Sequence, residues 1–219
     1  RRDVAQLLRA AALANDAVLA KNEGQWRVQG DPTEGALIVA ARKFGLSDAD
    51  LARYPRIAEI PFTSERKRHT TVHRDPDDAK QLRIFVKGAP ELLLSKCRYL
   101  ALDGKVRPLD DARRSQLSRQ NDSLAAQALR TLAIATRAVP AASLGLDGRK
   151  LASDAEIELP ETIEDDLVLL GFVGMIDPPR TEVKDAVAVA RHAHIRTVMI
   201  TGDHPATAEA IARELKIVE

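Results

Sequence analysis

The stretch Phe85–Leu94, FVKGAPELLL, sets the reading of this chain. Phe85 and Val86 extend the β-rich run Leu82-Arg83-Ile84, so Lys87 is expected at the carboxyl end of a strand. Gly88 is expected to permit a tight turn. Pro90 suits the first position of a helix, where its missing N–H is not needed. The free N–H groups and positive dipole end of that helix favour an anion, and the Lys87 ammonium adds to the attraction. Taken alone, the same stretch also fits a surface lysine beside an ordinary turn.

Composition narrows what the unit can be part of. The chain has 219 residues, enough for one large domain or two modest ones, with 45% hydrophobic and 30% charged residues. Its 33 basic and 32 acidic side chains nearly cancel, and aromatics make up 3%. Neither a field that recruits nucleic acid or anionic lipid nor a base-stacking surface follows from such numbers. The single cysteine, Cys97, permits no internal disulfide, fits a reducing compartment, and reads as a small core residue near a helix end. The longest apolar run, Leu167–Ile176, falls well short of the roughly 20 residues that span a bilayer and reads as a buried strand. The chain opens in a helical pattern and stops just after a second one, so both ends are expected to be cuts within something longer.

Working outward, a first amphipathic helix is expected from about Asp3 to Ala14 and a short polar strand near Gln25 to Gln29. In GDPTEGALIVAARKFG, Asp31 is placed to cap a helix, Pro32 to open it, and Gly45 to close it. Glu34 stands three residues past the cap, where it completes a capping box. RIAEIPFTSERKRHTTVHRD reads as two strand pieces around a charged centre, and DPDD at Asp75–Asp78 as the turn of a hairpin returning through LRIFVK. A long helix is expected from about Asp111 to Leu129, then a strand through TLAIATRAV. Leu144 to Glu164 reads as an ordered loop or excursion.

The last quarter changes character. LVLLGFVGMI, EVKDAVAVARHA, RTVMIT and ATAEAIARELK form a β-α-β-α series with near-continuously apolar strands, the pattern of a parallel sheet. The stiff dipeptide Pro178-Pro179 marks a connector beside it. His192 and His194, two apart on a helix, point to different sides and read as surface residues.

Six stretches then add up. GDPTEGAL, PFTSERKR, FVKGAPE, ALRTLAIATR, GMIDPPR and VMITGDHPATA occur in the order and spacing of P-type cation-transporting ATPases, from Gly30 to Leu215. The chain resembles the cytosolic nucleotide-binding domain of such a pump with part of its phosphorylation domain, in the calcium- and sodium-type branch rather than the heavy-metal branch. The fold implied is α/β: a mainly antiparallel sheet flanked by helices over residues 1–177, then a partial Rossmann-like unit of haloacid-dehalogenase type over residues 178–219, hinged at 177–180. Periodicity assigns LVLLGFVGMI to the parallel unit; the resemblance gives it to the nucleotide domain, and that assignment is adopted.

The resemblance implies an ATP pocket made by Glu34, Phe62, Lys67, Lys87, Gly88 and Arg130, with Asp177 and Arg180 at the hinge. Phe62, in a polar neighbourhood, offers a face for the purine; a core phenylalanine on a strand is the alternative. Lys67 would meet the nucleotide's polar groups, with Arg66 and Arg68 left as members of a solvated cluster. For Glu34 the capping box and a ligand role stay equally open. His69 is a further lining candidate. Calcium-pump relatives often carry arginine where Ser64 stands, so fewer phosphate contacts are implied. Thr201, Gly202 and Asp203 match the loop that closes on the phosphate site.

By the same resemblance, ATP hydrolysis through an aspartyl-phosphate drives cation transport, with Mg²⁺ held mostly by residues outside this chain and no metal ligands assigned within it. The DKTGT segment carrying that aspartate does not occur here, nor does the GDGxND segment, so this chain is not expected to turn over alone. Its expected partners are ATP and the remaining phosphorylation, actuator and transmembrane domains, at the cytoplasmic face of a membrane, without nucleic acid or direct lipid contact. The alternative is a free-standing, non-catalytic nucleotide-binding module. A haloacid-dehalogenase-like phosphatase lacks its DxDx(T/V) segment here, and dinucleotide binding lacks a GxGxxG.

Overall fold

Helix α1 (Arg2–Leu13) leads into a small hairpin of β1 (Val18–Asn22) and β2 (Gln25–Gln29), then α2 (Pro32–Phe44) and α3 (Asp48–Ala52). Strands β3 (Arg56–Ile60), β4 (Arg68–Arg74) and β5 (Gln81–Gly88) follow, with α4 (Pro90–Lys96), β6 (Cys97–Leu102), β7 (Lys105–Pro108), α5 (Asp111–Ala126), β8 (Arg130–Pro140) and β9 (Leu167–Met175). Helices α6 (Thr181–His192) and α7 (Pro205–Glu214) end the series. The computed structural model describes residues 2–22, 24–127, 129–144, 159–176, 180–201 and 205–218. Two compact units result: Arg1–Ser118 with Leu132–Val173, and Arg119–Thr131 with Gly174–Glu219.

The first unit is built on a seven-stranded sheet in the order β3-β4-β5-β8-β9-β6-β7. The pairs β3–β4, β4–β5, β5–β8 and β6–β7 are antiparallel, while β6 and β9 run parallel. The strand read as LVLLGFVGMI therefore lies inside this sheet. Alternation along β4 and β5 explains the two faces. Val72, Leu82, Ile84 and Val86 point into a core with Leu93, Leu94, Cys97, Ala133, Ala135, Leu167 and Leu169. Each such buried Leu, Ile or Val contributes roughly 1.5–3 kcal/mol. The opposite positions, His69, Thr71, His73, Phe85 and Lys87, face the other way and are buried too. There the Thr71 hydroxyl donates to the Leu13 carbonyl of α1 at 3.3 Å. Ala10 and Ala11 of α1 are fully buried, since only small side chains let the helix lie this close.

The start of α2 follows its sequence. Asp31 accepts from the N–H groups of Thr33 and Glu34 at 2.8 and 3.2 Å, Pro32 opens the helix, and Gly45 closes it in the left-handed conformation. Cys97 is buried at the end of α4, and burial pushes its thiol up to about 12. Gly88 corrects the opening reading. Its backbone needs no left-handed turn; instead, a Cβ there would lie 2.6 Å from Arg68 Cβ and 2.7 Å from the Lys67 carbonyl oxygen. Glycine is required because two chain segments touch.

His73 shows what burial on the helical face costs. Its Nδ1–H donates to the Tyr54 carbonyl at 2.8 Å, its ring meets Phe85 edge-on, and desolvation pulls its pKa down to about 4. The unfolded chain takes up a proton near pH 6.5 that the native chain refuses until about pH 4. Stability therefore rises with pH across that window, and by its lower end the group has removed about 3 kcal/mol. Urea midpoints measured from pH 7 to 4 should fall less steeply in His73→Gln than in the unaltered chain. Parallel slopes would contradict this.

In the second unit, α6 and α7 form as their apolar spacing indicates, but the stretch RTVMI is not a strand. A strand exists only through a neighbour that takes its N–H and C=O groups, and among the described residues none pairs with it. Ile200 is accordingly 94% exposed, and Val198 and Ile195 are also open. Among the described residues of this unit, the expected parallel series is thus reduced to α6, α7 and a segment between them without regular secondary structure. His192 and His194 are exposed, and no helix among the described residues is long and apolar enough to cross a membrane.

Candidate functional site

Strands β4 and β5, helix α2 and the connection between α1 and β1 converge on Lys87. Position 87 pairs with His69 across β4 and β5, so both side chains leave the same face of the sheet toward Glu34 at the start of α2. The Lys87 ammonium donates to Glu34 Oε1, while Glu34 Oε2 accepts from the N–H groups of Asp16 and Ala17 at 3.0 and 3.1 Å. Within this chain, Lys87 thus meets a carboxylate supplied by α2. Of the two roles expected of Glu34, the capping box does not form: its side chain reaches across to residues 16 and 17 rather than back to its own cap. Burial pushes the Lys87 pKa down, and the hydrogen bond and charge of Glu34 push against that.

His69 is buried in the same cluster, with Asp16 Oδ2 and Glu59 Oε2 at 3.8 and 3.7 Å from Nε2 and Glu34 Oε1 at 3.8 Å from Nδ1. Its Nε2 has no hydrogen-bond partner among the described residues. Desolvation, and next the Lys87 charge, hold the ring below its usual pKa against the pull of Asp16, Glu34 and Glu59. Asp16, Glu34 and His69 bring one ligand atom each within 4.8 Å of one another, a spacing a metal ion tolerates. Two cations already occupy that role: Lys87 sits on Glu34, and Arg56 Nη1 lies 2.5 Å from Asp16 Oδ1 and 2.6 Å from Glu59 Oε2. We read the cluster as an ion-pair network in which Lys87 and Arg56 offset two of the three carboxylate charges of Asp16, Glu34 and Glu59. Neither Asp16 nor Arg56 carries a local signal, because their partners lie many residues away.

Beside this network runs the loop 61–67 between β3 and β4. Phe62 is 60% exposed and off any strand, so it is not a core phenylalanine. Lys67 is exposed with φ +48°; its N–H donates to the Thr63 carbonyl at 2.7 Å, and its own carbonyl accepts from Ala89 at 3.0 Å. Those bonds seat the loop on the β5–α4 junction at Gly88. The expected solvated cluster is corrected here: Arg66 and Arg68 both pair with Glu164, whose side chain is 3% exposed, and Thr70 Oγ1 donates to the same carboxylate at 2.5 Å.

The first unit thus brings Glu34 to Lys87 and Lys67 to Gly88, with Phe62 on the loop that carries Lys67. Arg130, the exposed first residue of β8, belongs to the second unit, as do Arg180 at the start of α6 and Thr201. Asp177, Gly202 and Asp203 lie outside the described residues. A cavity of about 670 Å³ in the second unit, lined by Val187, Val198, Met199 and Ala212 among others, is mostly apolar and holds none of the expected residues.

Residues 3–182 match the family described as P-type ATPase, cytoplasmic domain N. The chain is 42% identical over 213 residues to calcium-transporting ATPase 1 of Lactococcus lactis and 39% identical over 214 residues to the calcium-transporting ATPase of Bacillus subtilis. It is 38% identical over 214 residues to the probable cation-transporting ATPase F of Mycobacterium tuberculosis. Each match covers 97% of this chain and 22% of the relative, so the chain spans about a fifth of their length. With its mixed α/β architecture and mainly antiparallel sheet, this chain belongs to the P-type ATPases and carries their cytoplasmic domain N.

Proposed function

We propose that residues 1–177 bind ATP and that residues 178–219 are part of the phosphorylation domain, hinged at 177–180. In the whole protein, ATP hydrolysis through an aspartyl-phosphate formed outside this chain would drive a cation across a membrane, with this part on the cytoplasmic side. The names of these relatives favour a calcium or other small-cation pump. Mg²⁺ would accompany the nucleotide, held mostly by residues outside the chain. Arg130 and Arg180 would add contacts to sugar or phosphate, and Thr201, Gly202 and Asp203 would close on the phosphate site together with Asp177 at the hinge.

One observation carries the reading. A large aromatic ring, Phe62, is held open to solvent on the loop that also carries Lys67, and that loop is hydrogen-bonded to Ala89, two residues past the Lys87 that pairs with Glu34. An exposed ring gains little from water, but a purine stacked on it gains roughly 1–3 kcal/mol. Lysine suits the polyphosphate as a compact charge that needs no bidentate geometry.

Calorimetric titration with ATP, with and without Mg²⁺, tests this. Phe62→Ala should raise Kd roughly tenfold to a hundredfold while shifting stability by no more than about 0.5 kcal/mol, since the ring is exposed. An unchanged titration curve in Phe62→Ala would remove the stacking role.

A further inference from the structure

Glu164 has no place in the pocket set, yet the two arginines that flank Lys67 at the end of the Phe62 loop both lead to it. It closes the short 3-10 turn Glu161–Glu164, 98 residues along the chain from Arg66. Its carboxylate is nearly sealed from solvent and takes three donors. Arg66 and Thr70 bond to Oε1, and Arg68 Nε donates to Oε2 at 2.6 Å. The Arg66 guanidinium is a bridge: one nitrogen holds Glu164, and Nη1 donates to the Pro61 carbonyl at 2.9 Å, the peptide directly before Phe62. Arg68 Nη1 meets the Arg66 carbonyl at 3.2 Å, and the Arg66 N–H meets Thr63 Oγ1 at 3.2 Å. Within this frame Lys67 is held at positive φ, a conformation that persists only where the surroundings over-determine it.

A buried ion pair is often no more stabilising than apolar residues of the same volume. Stability alone therefore does not account for a carboxylate aimed at two arginines of one loop. Geometry does: the planar, bidentate fork of arginine fixes direction as well as charge. We propose that Glu164 is a positioning residue for nucleotide binding, acting through Arg66 to set the peptide of Phe62 and through Arg68 to set Lys67. The proposal rests on the ATP-binding reading above. Neither Glu164 nor Arg66 need touch the nucleotide; they preorganise the surface, so that less ordering remains to be done when the ligand arrives.

Arg66→Lys separates positioning from stability. Lysine keeps a charge for Glu164 but cannot reach it and the Pro61 carbonyl at once. ATP Kd should rise by roughly fivefold or more, while the melting temperature falls by no more than about 3 °C, because the Arg66 side chain is partly exposed. Amide exchange at Lys67 and Ala89 should quicken in the same variant, with or without ATP. Glu164→Gln, which keeps the shape but loses the charge, should show the same pattern in the fraction that remains folded. If the unaltered chain saturates with ATP and Arg66→Lys binds within about twofold of it, or Glu164→Gln loses binding only in proportion to the unfolded fraction, the positioning role is overturned. No saturation by the unaltered chain would overturn the ATP reading itself, and this inference with it.

Discussion

Glu164→Ala is expected to lower the melting temperature by roughly 6–12 °C. Removing one partner of a buried ion pair leaves the others desolvated without compensation, at about 3–5 kcal/mol, and each kcal/mol shifts a chain of this size by about 2–4 °C. We place the loss near about 3 kcal/mol because the Arg66 and Arg68 side chains are 25% and 17% exposed and can recover some water. The comparison with a surface pair is instructive: Arg53 with Asp77, both largely exposed, should cost under about 1 kcal/mol when broken. Chemical denaturation of the two alanine variants, at positions 164 and 77, measures the contrast directly. Equal losses would mean that the Glu164 network is worth no more than a solvated contact.

The second large effect concerns Glu34 and Lys87. Glu34→Ala removes the counter-charge of a buried ammonium and also the acceptor for two backbone N–H groups, at residues 16 and 17. A loss of about 3 kcal/mol follows at pH 7. The sign of its pH dependence is a sharper test. Burial alone already pulls the Lys87 pKa below 10.5, and without Glu34 nothing comparable opposes it. A base whose folded pKa is depressed stabilises the fold increasingly as pH rises toward the unfolded value. The deficit of Glu34→Ala relative to the unaltered chain should therefore shrink as pH is raised from 7 toward 10. The double variant Glu34→Leu/Lys87→Met should recover much of the stability, since it buries no unpaired charge. A deficit that is flat with pH would show that the lost amide acceptors, not the ammonium, account for the damage.

Both experiments probe contacts that local sequence could not reveal. Glu164 sits at the end of a polar stretch read only as a loop, and nothing near it names two arginines 96 and 98 residues upstream. Arg66 and Arg68 in turn look like solvated charges because charge runs usually are. Lys87 was legible as a strand-end lysine, but its partner was not: the opening of α4 suggested an external anion, whereas α2 supplies Glu34. Gly88 was legible as a required glycine for the wrong reason, since the Lys67–Arg68 backbone, not a turn, occupies the space of its missing Cβ.

Where a residue's behaviour depends on neighbours within one turn or one strand, the sequence alone determined the outcome. Alternation in HTTVHR and LRIFVK dictated the β4–β5 hairpin and its two buried faces, Asp31-Pro32 and Gly45 dictated the ends of α2, and six ordered motifs identified the family. Tertiary structure decided what requires a partner at a distance. RTVMI has a strand's composition but pairs with no strand among the described residues, Arg66 and Arg68 at the end of the Phe62 loop are paired by Glu164, and Lys87 is neutralised by a helix more than fifty residues earlier. Local dihedral preference and burial pattern act over a few residues, whereas hydrogen-bond ladders and buried charges are satisfied only by whichever group the fold brings within about 3 Å.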